Sequence, residues 1–197
     1  MSAPEASAAS ASTGDVQLCD YRADVVEIAA FRGRTRELET VAAARGLTLP
    51  GFGRVVTTAG WLTLCVRPER WLVMQARTAA GARAALWQAA CAPAGTAVDQ
   101  SSALSMLHLS GARARELLAR SCRVDLHADN LPAGRAVATL MAQTAVIIAV
   151  LPSGLLVLTP STTARHFREW LIASAKLCGL LPQSTVNSVE LFGSSGL

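Results

Sequence analysis

The chain has 197 residues, 51% of them hydrophobic and only 16% charged, with mean hydropathy +0.35 and a formal charge of +4 at pH 7. That size holds one substantial domain or two small ones sharing a core, and the oiliness leaves apolar surface for a partner. The positive charge comes from arginines spread along the chain, Lys176 being the sole lysine, and aromatics make up 5%, which excludes the clustered basic patch with interleaved rings of a nucleic-acid binder.

The opening "MSAPEASAASASTG" carries neither a basic start nor an apolar block. It is not a secretory signal and predicts a disordered leader over residues 1–20. "VVEIAAF" (25–31) predicts a strand, and "TRELETVAAARG" (35–46) a helix ending at glycine. "LTLPGFG" breaks the chain before "WLTLCV" (61–66) and "RWLVMQA" (70–76), two strands joined through "RPE" as a hairpin. An alanine-rich helix follows over 79–91, and the "CAPAGT" break closes a first half, residues 21–95.

The second half, residues 96–181, opens with a strand at 104–109. In the next helix Ala114, Leu117, Leu118 and Ser121 make an apolar stripe flanked by the i,i+4 pair Glu116 and Arg120. After "LPAG" come "RAVATLM", "AVIIAVL" and "GLLVLTP", three short strands, the last two joined by the Pro-Ser-Gly turn at 152–154. "AVIIAVL" stops at Pro152, short of the about 18 apolar residues a membrane helix needs, so no membrane association is expected. Ser161 is read as the N-cap of a last helix with Phe167, Trp170, Leu171 and Ser174 on one face, and residues 182–197 as a flexible tail. The two halves match as β-α-β-β-α units whose one-sided helices must cover a sheet, a duplicated α+β fold.

The candidate chemistry is sparse. Gly111, in the strand-to-helix turn of "LHLSGARARELLARSC", stands alone where a phosphate cradle needs several glycines, so the turn reads as scaffold. "GFG" (51–53) lacks a third glycine and a preceding strand, which makes it a turn. Asp125, His127 and Asp129 alternate in "DLHAD" and could aim at one cation, but no supporting ligand lies outside the run, and a solvated connection is the plainer reading. Cys122 with His127 would be a nucleophile pair only if the cysteine were not core packing. His108 faces a core on its strand, and His166 sits on a surface. Arg32, Arg34 and Arg36 in "RGRTR" form a solvated face, a partner contact or a small-anion site. The tryptophans at 61, 71, 87 and 170 serve the core or an interface. The five scattered cysteines, without a C-x-x-C pair, fit reduced thiols in a cytoplasm.

Several motifs in order carry a family resemblance. Asp99 and Ser101 form a D-x-S start, Leu109–Leu118 an L-S-G-x-x-A-R-x-L-L turn and helix, Cys122–Leu126 a C-x-x-D-L step, Pro132–Gly134 a P-x-G break, and Val66–Met74 an R-P-x-x-W-L hairpin. In these residues the chain resembles the gamma subunit of heterotetrameric sarcosine oxidase. The resemblance implies a fold like the folate-binding domain of the glycine-cleavage aminomethyltransferase, without that enzyme's essential aspartate motif. It also implies a non-catalytic, structural role in a flavoenzyme that demethylates sarcosine to glycine, formaldehyde or methylene-tetrahydrofolate, and hydrogen peroxide. FAD, FMN, NAD, tetrahydrofolate and zinc would then sit on the alpha, beta and delta partner subunits, with no catalytic, cofactor-binding or metal residue here. Arg113 and Arg115 would be ion-pair or packing elements at a subunit boundary. The alternative is a free-standing folate-binding or aminomethyltransferase-like protein.

Overall fold

The computed structural model describes residues 16–58, 60–179 and 183–186. Among them are strands β1 (Gln17–Tyr21), β2 (Ala23–Ala30), β3 (Arg54–Thr58), β4 (Trp61–Arg67), β5 (Arg70–Ala76), β6 (Gly95–Asp99), β7 (Leu104–Ser110), β8 (Ala136–Met141), β9 (Thr144–Leu151), β10 (Gly154–Pro160) and β11 (Gln183–Val186). The helices are α1 (Thr35–Ala43), α2 (Ala82–Cys91), α3 (Ala114–Ala119) and α4 (Ser161–Leu177).

The strands form two sheets, β3-β4-β5-β2-β6 and β8-β9-β10-β7-β1-β11. Side chains alternate across each strand, so every central strand feeds two cores. In β2, Val25 enters the core between the sheets, whereas Val26 and Ile28 face Leu38 of α1 and Trp87 of α2. In β7, Met106 lies between the sheets, and Leu107 and Leu109 meet Leu118 of α3 and Phe167 of α4. The result is four layers, helices outside and two sheets face to face within.

The duplicated α+β architecture is the expected one, with more strands per unit and a crossing that the residue pattern does not reveal. β1 precedes β2 but pairs with β7, and β6 precedes β7 but pairs with β2. Each repeat therefore runs β-β-α-β-β-β-α and lends its first strand to the sheet of the other. The strand orders 3-4-5-2-6 and 8-9-10-7-1 superimpose term by term.

Three boundaries move in consequence. Residues 17–20, read as leader, belong to β1, where buried Leu18 and Cys19 complete the second sheet. The division between 95 and 96 falls inside β6, and residues 183–186, read as tail, pair in parallel with β1. The rest of the leader and tail lies outside the described residues. Strand β3 was hidden because "RVVTT" is short and half exposed after a proline-glycine break.

Local details follow the chain's own chemistry. Pro68 and Glu69 turn the β4–β5 hairpin, Glu69 adopting φ +59. Helix α4 starts at Ser161, but its cap is Pro160, with no side-chain cap bond. Pro160 still has the extended geometry that ends β10, and the Ser161 N–H donates to the carbonyl of Ala103 at 2.9 Å instead. That bond ties α4 to the turn before β7. Phe167 and Leu171 are buried on the inner stripe of α4, joined by Ala175, with Trp170 tilted against Phe167 at 5.7 Å.

Candidate functional site

The sequence motifs converge on the junctions between repeats. Asp99 Oδ1 accepts the Ser101 N–H at 2.8 Å, and Ser101 Oγ accepts the N–H of Val25 at 2.9 Å. The D-x-S step thus clamps the crossing from β6 to β7 onto β2, and hydrogen bonding to the Asp99 carboxylate from the Ser101 hydroxyl first, then from the Ser101 N–H, holds that carboxyl below its ordinary range. Gly53, the end of "GFG", donates to Cys65 O at 2.7 Å and accepts from the Ala136 N–H at 3.0 Å. Gly134 of the P-x-G break accepts from Val55 and donates to Val150. Both turns weld the edge of one sheet to the edge of the other.

The arginine-rich turn is braced within its own chain. Gly111 takes φ +103, which lets β7 turn straight into α3. Arg113 forks onto Glu116 at 2.8 and 2.9 Å, and Arg120 meets the same carboxylate at 3.1 Å. Those hydrogen bonds, Arg113 first, lower the Glu116 pKa to about 2. Arg115 reaches past the helix to the carbonyls of Leu126 and Leu131, at 2.6 and 3.0 Å.

The potentially reactive side chains are dispersed. Asp125 accepts from the His127 N–H at 2.8 Å and from the Asn130 amide, which makes "DLHAD" a self-bonded, exposed turn. His127 and Asp129 approach at 3.4 Å, both open to solvent. Among the described residues no group of three or more His, Cys, Asp or Glu could hold a metal. Cys122 packs at the rim of the α3–α4 core and bridges to Met141. Burial raises the thiols of Cys65 and Cys91 above the ordinary cysteine range, away from the thiolate a nucleophile needs. His108 is buried, with Nε2 3.1 Å from Ser153 Oγ and no hydrogen-bond partner for Nδ1 among the described residues, and burial pushes its pKa down. His166 is exposed on α4. In "RGRTR", Arg34 pairs with Glu37 at 2.6 Å and Arg32 and Arg36 lie exposed.

A family model for the sarcosine oxidase gamma subunit matches residues 36–176. The chain belongs to the sarcosine oxidase gamma subunit family. It is also similar to a chain of the heterotetrameric sarcosine oxidase from Corynebacterium sp. U-96, solved in complex with pyrrole 2-carboxylate. That likeness has a TM-score of 0.72 at 26% identity and covers 82% of this chain and 84% of that one. The glycine cleavage system aminomethyltransferase T from Bartonella henselae shares the fold, with a TM-score of 0.65 at 14% identity. Here 87% of this chain matches 48% of the enzyme, so the chain spans about half the length of that relative. A comparison with curated protein sequences returns no match.

Several of the motifs serve as joints within the chain. Strands β8 and β9 run past the cover of the first sheet. Ala136 and Ala149 sit in the inter-sheet core, but Ala138, Leu140, Ala145 and Ile147, further along the same face, are wholly or partly exposed. Leu64, Val66 and Leu72 of the first sheet wall the other side of this opening, with Arg70 and Glu27 paired at 2.9 Å on its lip. The residue pattern conceals this surface, because alternation marks a face as apolar without saying how far its cover extends. No described helix is long and apolar enough to cross a membrane.

Proposed function

We propose that this gamma subunit is a non-catalytic, structural member of a sarcosine-oxidase-type complex and that it docks on partner chains through the uncovered inner face of β8 and β9. The observation that carries the reading is that face: an apolar strip in a sandwich core position with no second sheet over it. Water contact with such a strip costs about 25 cal/mol per Å² of apolar area, which a partner's surface recovers.

The alpha, beta and delta chains are the expected partners, in the cytoplasm, and bring FAD, FMN, NAD, tetrahydrofolate and zinc. The engagement of Asp125, Arg113 and Arg115 in local bonds supports a scaffold rather than a reacting site in this chain. Sarcosine is the amine that the family suggests for the assembled oxidase.

The test is co-expression with alpha, beta and delta subunits of the oxidase, followed by size-exclusion chromatography. Co-elution in a fixed ratio, with sarcosine oxidation lost when this chain is omitted, is the expected result. A monodisperse monomer that never co-elutes, or turnover by the isolated chain, overturns the reading.

A further inference from the structure

On the outer side of the first sheet, α2 and the turn after α1 border a second cleft, of about 370 Å³, that no motif anticipated. Its floor is Trp61 and Trp87, ring edge against ring face with centroids 5.8 Å apart. The Arg83 guanidinium lies over the Trp61 ring at 5.5 Å, and Arg45 also lines the cleft, one nitrogen donating to Val41 O at 3.2 Å.

Three features here serve no purpose within the chain. Arg83 is in the first turn of α2, where the helix dipole disfavours a cation, and α2 has no acidic residue to offset it. Its Nε is buried without a hydrogen-bond partner among the described residues, although a buried donor ordinarily finds an acceptor. Leu86, three residues on and hence on the same side of the helix, leaves 65% of its surface exposed. With its central carbon over an indole, the guanidinium has its terminal amino groups left to meet a carboxylate.

We propose that this cleft receives a segment of a partner subunit presenting a carboxylate beside a bulky apolar side chain, the carboxylate held between Arg83 and Arg45 and the apolar group seated on Leu86 and the two indoles. The assignment rests on the assembly role above and adds the partner's chemistry and place. Charge complementarity chooses the acid, since two cations meet here. The outward leucine chooses a chain over a free small acid, because a small-molecule pocket encloses its apolar lining, whereas an interface supplies the missing cover from outside.

The test uses the full chain co-expressed with its partner subunits. Leu86→Asp, at an exposed site that folding does not need, and Arg83→Glu each weaken assembly about tenfold or more, read as the concentration at which the complex dissociates. Arg83→Lys, which keeps charge but loses the planar fork, falls between. Circular dichroism of Leu86→Asp verifies the fold. If wild-type chain assembles and a folded Leu86→Asp assembles equally well, this docking site is overturned while the structural role stands; if wild-type chain does not assemble, both fall. Saturable quenching of the tryptophans by benzoate, with assembly insensitive to Leu86→Asp, assigns the cleft to a free acid and also overturns the proposal.

Discussion

Gly154 opens β10 at φ +142, and a Cβ placed there would lie 2.2 Å from the carbonyl oxygen of Leu109 and 3.1 Å from His108 Nε2. Both the backbone conformation and the close approach demand glycine. Gly154→Ala is expected to cost at least about 2 kcal/mol in urea unfolding, because a backbone carbonyl in a central strand cannot step aside; a loss within error would show that the β9–β10 turn relaxes. Beneath it, His108 makes stability depend on pH in a definite direction. Burial lowers its folded pKa below the ordinary 6.5, so the unfolded chain takes up a proton first as pH falls. The stability it confers is complete above about 6.5 and is lost as pH falls from there toward the folded pKa. Melting curves at pH 7.5 and 5.5 should therefore show a larger drop for the wild-type chain than for His108→Asn. Equal drops would mean that the ring is hydrated in the fold.

Short elements here are stable because something beyond them holds them. Helix α3 has only six residues, below what an isolated helix sustains. It is anchored by buried Ala114, Leu117 and Leu118 on one side and by Arg115 on the other. Removing that guanidinium leaves the Leu126 and Leu131 carbonyls without a charged donor. Arg115→Ala is expected to cost about 1–3 kcal/mol and to speed amide exchange at Asn130 and Leu131, with β9 and β10 unaffected. Unchanged exchange in that loop would assign its order to Asp125 and Asn130 alone. The same dependence explains which elements the residue pattern exposed. The β4–β5 hairpin and α4 carry full periodicity and lie where expected, whereas β3, β1 and β6 are five-residue pieces whose strand character comes from pairing.

For the whole molecule, the exchange of first strands makes the two halves one folding unit. Neither sheet is complete without a strand from the other repeat, and residues of both sheets share the central core. Exposed apolar surface includes the uncovered face of β8 and β9 and the rim of the cleft at Leu86. A charge placed on the first should act on assembly and spare folding, because it adds no buried atom to the free chain. Leu140→Asp, at an exposed position of that face, is expected to weaken co-elution with the partner subunits about tenfold or more while shifting the midpoint of thermal unfolding little. Assembly at wild-type strength would move the docking face elsewhere.

The order of motifs, the duplication and the one-sidedness of each helix were set by residue type and spacing, since periodicity of 2 or 3.6 records which face of an element is buried. The strand-to-helix turn at Gly111 was legible in the same way, from a single glycine between an alternating and a helical stretch. The crossing of β1 and β6 between sheets was not legible, because pairing runs through backbone groups that every residue shares. Neither was the cleft, which joins Trp61 on a strand to Arg83 on a helix and Arg45 beyond another. Tertiary structure alone decided how far one sheet covers the other, and so which apolar residues became core and which became surface, because cover is a property of two elements together.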